Sequence, residues 1–253
     1  MYASERQKRI LELLQKDGKV EVKNLKDIFS VTEDCIRKDL NKLESEGMLV
    51  RIYGGAIMNK PNPMDKTFEN RININREAKL SIAEKAFGLI KDNTTIYLDA
   101  STINLLLAEK LVKSSMKLTV VSNMIDIIPT LVKSPSLKVI SCGGIANATL
   151  NSFVGAASIE FLKQFHFDQA FMGSSGLDLS TNFFTTFEAE DGITKKAVMQ
   201  CSRNAYMLME KEKFYYFANY KFAPLERFTG IITEAGPTPE LENLVNHTSI
   251  ELY

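Results

Sequence analysis

The spacing of hydrophobic positions divides this chain into two parts. In the first 58 residues, apolar side chains recur every three or four positions in three short segments, as on one face of an α-helix. The third segment is the most regular, with Ile36, Leu40 and Leu43 at positions i, i+4 and i+7. The three predicted helices cover residues 4–16, 23–29 and 32–46.

The residues around the third predicted helix define its two ends and predict a hairpin after it. Thr32 is a favourable N-cap, and Gly47 provides a C-terminal stop. Residues 49–53 then alternate like a β-strand, Gly54-Gly55 suits a two-residue hairpin turn, and residues 56–58 return. Three helices before a hairpin predict a winged helix-turn-helix domain at residues 1–58.

A different pattern begins after a connecting segment. Residues 59–75 contain Pro61, Pro63 and several Asn, which predicts a linker. In residues 76–253, short apolar strands alternate with amphipathic helices, which predicts an α/β domain with a mainly parallel sheet covered on both faces. The predicted strands are 94–98, 117–122, 137–141, 167–173, 205–209, 228–233 and 249–253. The predicted helices are 78–90, 103–111, 125–132, 154–165, 188–203 and 239–245.

Composition narrows the classes of function without choosing one. The 253 residues carry 31 Lys+Arg and 31 Asp+Glu, so a nucleic-acid partner would have to be bound by a local basic surface. Three scattered cysteines and only two His argue against a zinc site, and we predict no metal and no cofactor. The chain shows neither a signal peptide nor a run of about 18 apolar residues, which predicts a cytoplasmic protein without a membrane partner.

The third helix carries the sharpest functional signal. Its predicted outward face presents Glu33, Arg37, Lys38 and Lys42, and such a helix can lie in a DNA major groove. On an isolated helix these charges would more often form a solvated, salt-bridged face. The preceding short helix, the tight turn and the glycine hairpin favour double-stranded DNA as the partner.

The sequence around this helix also resembles a known family. The stretches ERQKRILELL and VTEDCIRKDLNKLESEGMLVRIYGGA, within residues 5–57, are similar to the DNA-binding domain of the DeoR family of bacterial sugar-metabolism regulators. Cys35 stands where the family usually has Thr, and Tyr53 where it usually has His. Together with the predicted hairpin contacts to phosphates, the resemblance implies a DNA-binding role for Thr32, Glu33, Cys35, Arg37, Lys38, Lys42, Arg51 and Tyr53.

The rest of the chain resembles the family's effector-sensing domain, which is related in fold to ribose-phosphate isomerases and CoA transferases. The resemblance implies a site for a phosphorylated sugar beyond the ends of the predicted strands. Asp99 would hold a sugar hydroxyl, Ser101 and Thr102 the phosphate, and Lys213 would pair with the anion. The implied effector-binding residues are Asp99, Ser101, Thr102, Ser122, Asn123, Gly143, Gly144 and Lys213.

Each of these residues also has a structural explanation. Ser101 or Thr102 can simply cap the next helix, Asp99 and Asn123 can be turn residues, and Lys213 can be a surface charge. Gly143-Gly144 can be only a turn. The segment 101–103 reads Ser-Thr-Ile where the family has Gly-Thr-Thr, and 210–213 reads Glu-Lys-Glu-Lys where it has Asp-Ser-Ser-Lys.

Two functions are compatible with this organisation. The first is a homo-oligomeric transcriptional regulator, expected to be a repressor of a carbohydrate-metabolism operon, controlled by a phosphorylated sugar or a related anion. The alternative is a sugar-phosphate isomerase-like enzyme carrying a DNA-binding domain, for which Asp99, Glu188 and Glu190 are the candidate bases. We favour the non-enzymatic regulator, because the N-terminal module has no use in catalysis.

Overall fold

The computed structural model describes residues 2–46, 48–58, 68–178, 181–215 and 217–234, together with 236, 245, 248 and 250–253. The chain divides into two units, residues 1–65 and 66–253. The predicted helix stop at Gly47, linker residues 59–67 and most of the predicted helix at 239–245 lie outside the described residues.

The first unit consists of three helices and a three-stranded antiparallel sheet, as expected of a winged helix-turn-helix. Its elements are α1 Ala3–Asp17, β1 Lys19–Glu21, α2 Val22–Phe29, α3 Glu33–Ser45, β2 Leu49–Ile52 and β3 Gly55–Met58. The sheet order is β1-β3-β2. Leu14, Leu25, Ile36 and Leu40 are fully buried in its core, so the helical periodicity identified the buried faces.

Two details of this unit differ from the sequence prediction. Strand β1 was not predicted, since three residues are too few to show alternation, yet Val20 is buried and pairs with Ala56. The hairpin turn is Tyr53-Gly54 rather than Gly54-Gly55. Gly55 already belongs to β3 and pairs with Ile52, because a Cβ at Gly55 would collide with the carbonyl of Val20 on the neighbouring strand.

The second unit is built on a seven-stranded, entirely parallel sheet. In spatial order its strands are β15 Glu251–Leu252, β14 Gly230–Ile232, β12 Ser202–Leu208, β9 Phe167–Gly173, β4 Thr95–Leu98, β5 Leu118–Ser122 and β6 Leu137–Ser141. The carboxyl ends of parallel strands lie at one edge of a sheet, which we call the carboxyl edge. The order predicts ligand binding there, where connections leave the strands.

Helices cover both faces of this sheet. They are α4 Phe68–Asn73, α5 Arg76–Leu89, α6 Thr102–Val112, α7 Ile127–Leu131, α8 Ala156–Leu162 and α9 Ala189–Gln200. Alternate strand residues point to opposite sides: Ile96 and Val120 pack with α5, α6 and α7, whereas Tyr97 and Val121 pack with α8 and α9. We call these the α5–α7 face and the α9 face.

Several short elements of the second unit escaped the sequence analysis. They are the hairpin strands β7 Ile145–Asn147 and β8 Ser152–Val154, and the small antiparallel sheet of β10 Gly176–Asp178, β11 Phe183–Thr186 and β13 Tyr220–Pro224. The helix predicted to begin at Val154 starts only at Ala156, because Ser152–Val154 pairs with β7.

Helix α4 lies within the stretch predicted as linker. Phe68 and Ile72, spaced i, i+4, pack against the buried side chains of the α5–α7 face, and this burial gives the segment a reason to be helical. A helix of six residues is too short for periodicity to reveal it. No helix among the residues described above is long and apolar enough to cross a lipid bilayer.

Candidate functional site

Helix α3 presents a charged face to solvent. Ile36, Leu40 and Leu43 are buried, while Arg37 and Lys38 are exposed, as the pattern predicts. Lys42 is exposed on the same helix. The Thr32 hydroxyl oxygen accepts a hydrogen bond from the Cys35 backbone N–H at 3.3 Å, which confirms Thr32 as the N-cap.

A buried ion pair fixes α3 to the rest of the first unit. The Asp39 carboxylate accepts hydrogen bonds from Arg6 Nε at 2.6 Å and from Gln7 Nε2 at 2.9 Å. The hydrogen bond to Asp39 raises the pKa of Arg6 above its ordinary value. Asp39 therefore orients the helix, whereas its neighbours Arg37 and Lys38 face solvent.

The exposed cations of α3 differ in their partners. Arg37 contacts Glu33 at 2.7 Å and Asp34 at 3.0 Å on its own helix, and Lys42 lies 3.9 Å from a carboxylate one turn further on. No ion pair of Lys38 occurs within residues 2–46 and 48–58, the described part of this unit. Surface pairs of this kind contribute at most about 1 kcal/mol, so Arg37 can exchange its carboxylates for DNA at little cost.

The hairpin places its two candidate residues differently. The Arg51 side chain donates to the Asn41 amide oxygen, and its backbone N–H donates to the Glu44 carboxylate at 2.8 Å. Arg51 is thus held against α3. Tyr53, by contrast, occupies the turn and is fully exposed.

The carboxyl edge of the parallel sheet brings several predicted effector residues together. The Asp99 carboxylate oxygen Oδ2 accepts a hydrogen bond from the Gly173 backbone N–H at 3.0 Å, which joins the ends of β4 and β9. The Ser122 hydroxyl donates to the Leu98 carbonyl at 2.6 Å. The Tyr97 hydroxyl donates to Asn123 Oδ1 at 2.7 Å.

A lysine that the sequence analysis did not single out lies at the centre of this edge. Lys195 Nζ is 2.7 Å from Asp99 Oδ2 and 2.7 Å from Asp191 Oδ1, and all three residues are buried. The Thr186 hydroxyl donates to the other oxygen of Asp191 at 2.6 Å. The i, i+4 spacing of Asp191 and Lys195 was visible in the sequence, but the partner 96 residues away was not.

Burial and charge act against each other in this cluster. Burial raises the pKa of Asp99, although the Lys195 ammonium acts to lower it. Burial lowers the pKa of Lys195, but the charges of Asp191 and Asp99 outweigh it and raise the pKa above its ordinary value. The second oxygen of Asp99, Oδ1, is buried and has no hydrogen-bond partner among the described residues. This acceptor is available to a ligand donor.

The loop between β4 and α6 is held rigidly beside Asp99. Ser101 is the N-cap of α6, because its hydroxyl oxygen accepts from the Asn104 backbone N–H at 3.2 Å. The Asn104 side chain in turn donates to the carbonyls of Asp99 at 2.9 Å and Phe171 at 2.8 Å. A Cβ at Gly173 would come within 2.7 Å of the Ser101 Cβ, so β9 must present a glycine here. Thr102 is the first residue of α6.

The remaining predicted effector residues have local partners. The Ser158 hydroxyl donates to the Gly143 carbonyl at 2.6 Å, and Gly144 has φ +145°, where a Cβ would come within 2.0 Å of the Ser158 oxygen. Lys213 forms an ion pair with Glu210 at 3.1 Å. Glu210 is buried, which raises its pKa, but the charges of Lys213 and Lys79 outweigh burial and the pKa lies below its ordinary value.

Comparison with known families decides what this combination represents. A model described as the DeoR-like helix-turn-helix domain matches residues 6–62, and one described as the DeoR C terminal sensor domain matches residues 74–235. The chain belongs to the DeoR family of DNA-binding transcriptional regulators. The resemblance found in the sequence is confirmed, and so is the order of a helix-turn-helix domain before a parallel α/β domain.

Relatives of this DeoR-family protein are named after sugar operons. It is 32% identical over 229 residues to the L-fucose operon activator of Haemophilus influenzae, covering 90% of this chain and 91% of that protein. It is 27% identical over 252 residues to the glycerol-3-phosphate regulon repressor of Escherichia coli, covering 100% of this chain and 99% of the relative. Both names describe regulators of transcription.

Among solved structures, the DeoR-family chain is similar to ribose 5-phosphate isomerase A of Methanocaldococcus jannaschii. The identity is 16%, the alignment covers 55% of each chain, and the TM-score is 0.42. Among the described residues, no group of three or more His, Cys, Asp or Glu side chains is placed to hold a metal ion.

Proposed function

We propose that this protein represses a carbohydrate-metabolism operon, and that a phosphorylated sugar bound at the carboxyl edge controls its affinity for DNA. Support comes from the family, from relatives named after sugar operons, and from the polar side chains gathered at that edge. The described residues present two surfaces that fit the two tasks: the cationic face of α3 and the edge around Asp99.

The observation that carries the effector proposal is the state of Asp99. Lys195 and Gly173 hold its Oδ2, while Oδ1 is buried without a hydrogen-bond partner among the described residues. A buried acceptor left unsatisfied costs about 1–3 kcal/mol, and a charged one more. A hydroxyl of a bound sugar would satisfy it. Lys195 then acts as a positioning residue, because it fixes the carboxylate that the ligand meets.

The phosphate of this ligand has a complementary site beside Asp99. Helix α6 extends over 11 residues, and its first turn begins at Ser101 and Thr102, where backbone N–H groups attract an anion. We propose that these two residues bind the phosphate and that Asn123 orients a second hydroxyl. Gly143 and Gly144 would shape the wall of the site, and Lys213 would exchange Glu210 for the anion.

DNA recognition requires more than one copy of the chain. A single recognition helix reads only a few base pairs, so useful specificity needs two half-sites. We therefore propose a homo-oligomer on a double-stranded operator, with α3 in the major groove. The proposed contacts are made by Arg37, Lys38 and Lys42 on the helix, and by Tyr53 at the hairpin turn.

The enzyme alternative has less support. An isomerase would need a free carboxylate base over the substrate, and the Asp99 carboxylate is bound by Lys195. Glu188 accepts a hydrogen bond from Asn147 at 2.7 Å, and Glu190 is exposed on the first turn of α9. Because the relatives are also named as regulators, we propose that the chain does not catalyse a reaction.

Calorimetry with a panel of phosphorylated sugars tests the effector site. The panel contains glycerol 3-phosphate, fructose 1-phosphate, fructose 6-phosphate and glucose 6-phosphate. We expect at least one to bind wild type in the micromolar range, and Asp99→Asn to weaken it about tenfold or more, as expected for a lost charged hydrogen bond. The matched control is Asp168→Asn at the amino end of β9, whose carboxylate accepts from the Thr95 N–H. Equal binding by wild type and Asp99→Asn would overturn the assignment.

A further inference from the structure

Arg71 lies on α4, the first described element after the DNA-binding unit. The helix is anchored from one side only: Phe68 and Ile72 pack against the buried side chains of the α5–α7 face. The Arg71 guanidinium lies over the Phe68 ring, 5.5 Å from its centroid. The backbone carbonyl of Arg71 accepts a hydrogen bond from the buried ammonium of Lys79. Helix α4 is therefore fixed in position beside α5.

The Arg71 side chain reaches the end of β5. Its Nη2 donates to the Thr149 carbonyl at 2.8 Å, in the turn between β7 and β8. That turn is itself joined to the residues just after β5, because the Asn151 carbonyl accepts from the Ile125 N–H at 2.9 Å. In the adjoining strand, the Phe153 N–H donates to the Asn123 carbonyl at 2.8 Å. One contact of α4 thus lies near Asn123.

The other end of the segment is attached to the end of β12. Asn75, in the left-handed conformation with φ +52°, donates from its side-chain amide to Glu210 at 3.1 Å and to Glu212 at 2.8 Å. Glu210 lies two positions after the last residue of β12. Strands β12, β9, β4 and β5 are consecutive neighbours in the sheet. Residues 68–75, which we call the strap, therefore span the ends of β9 and β4, where Gly173 and Asp99 lie.

Charge places the Arg71 guanidinium between the two faces of the sheet. Burial lowers the pKa of Arg71, and the negative charge of Asp191 acts against this shift. Asp191 belongs to α9 and is bound to Lys195. The side chain thus extends from a helix on the α5–α7 face toward the ion cluster on the α9 face.

We propose that the strap covers the effector site and that Arg71 is its anion-binding residue, so that Arg71 selects phosphorylated over neutral sugars. The inference rests on the proposed function, since it adds a second contact to the ligand whose hydroxyl meets Asp99. A guanidinium presents five N–H donors in a planar fork, which suits bidentate binding of phosphate. The strap continues directly into the segment leading to the DNA-binding unit, so the ligand contacts the part of the chain that joins sensor to reader.

Calorimetry on the full chain separates this role from a structural one. Wild type, Arg71→Ala, Arg71→Lys and the control Arg203→Ala, an exposed arginine at the start of β12, are titrated with the sugar-phosphate panel, the free sugars and inorganic phosphate. We expect Arg71→Ala to weaken the phosphorylated ligand at least tenfold and to leave any free-sugar binding unchanged. Arg71→Lys should recover part of the loss, and Arg203→Ala should match wild type.

Three outcomes would overturn the inference. If wild type binds no phosphorylated sugar, the proposed function fails and the inference with it. If wild type binds one and Arg71→Ala binds it equally well, only the assignment of Arg71 fails. Hydrogen exchange of wild type provides a test that needs no variant to fold: the ligand should slow exchange of the amides in Phe68–Asn73. Unchanged exchange there with bound ligand would contradict the strap.

Discussion

The Lys195 ammonium and the Asp99 carboxylate form a buried ion pair at 2.7 Å between residues 96 positions apart. Lys195 lies on α9, on one face of the sheet, and Asp99 lies just after β4 at its carboxyl edge. The pair ties a covering helix to the edge where we place the effector. Because Lys195 also contacts Asp191, one ammonium neutralises part of the charge of two buried carboxylates.

Replacing this lysine should therefore be severe. Lys195→Met leaves Asp99 and Asp191 buried without their cation, and breaking a buried pair in this way typically costs about 3–5 kcal/mol. We expect the free energy of unfolding in urea to fall by about that amount at neutral pH. Lys196→Met is the matched control, since the neighbouring lysine is exposed and contacts only the Tyr220 ring, worth about 1 kcal/mol or less. Equal effects of the two substitutions would contradict the buried triad.

Lys79 should give the protein a distinctive dependence on pH. Burial lowers its pKa from the ordinary 10.5 to about 8. Between these values the unfolded chain binds more protons than the folded one, so this residue makes the free energy of unfolding rise with pH. We expect urea unfolding of wild type to gain stability relative to Lys79→Met from about pH 8 to about pH 10. A constant difference between the two proteins across that range would show that Lys79 titrates normally.

The ion pair of Arg6 and Asp39 should be required for the first unit alone. Asp39→Ala leaves the Arg6 guanidinium buried without a carboxylate, at an expected cost of about 3–5 kcal/mol. Limited proteolysis should then cut within residues 1–58, while effector binding by the second unit persists. Asp34→Ala, which removes an exposed carboxylate of the same helix, should leave the protease pattern unchanged. Resistance of Asp39→Ala to cleavage would argue that the pair is dispensable.

The sequence revealed the fold where side chains repeat regularly. The spacing of Ile36, Leu40 and Leu43 located α3, and the apolar run at 167–173 located β9. Short elements without such repeats were missed, including β1 and α4, which are held by pairing and burial from elsewhere in the chain. The site was partly visible for a similar reason. Asp99 and Asn123 come directly after predicted strands, whereas Lys195 joins Asp99 only through the tertiary fold.

Lys38 and Arg37 should differ in their effect on DNA binding. The operator probe is a duplex selected by wild type from a random pool. Lys38→Ala should weaken binding and reduce the slope of log affinity against log salt by about 1, as expected for one lost phosphate contact. Lys113→Ala, an exposed lysine of the second unit, is the control and should leave the slope unchanged. Arg37→Ala should instead relax sequence preference if its guanidinium reads a base. Unaltered binding by both variants would remove α3 from the interface.

The central claim is that a ligand at the carboxyl edge changes the affinity of α3 for DNA. Fluorescence anisotropy of the selected duplex, titrated with wild type and with Asp99→Asn in the presence and absence of the bound sugar phosphate, tests it directly. The account predicts that the ligand shifts the wild-type Kd for DNA by about tenfold, within the usual range of allosteric coupling, and leaves Asp99→Asn unaffected at the same ligand concentration. An identical Kd for wild type with and without saturating ligand would contradict it.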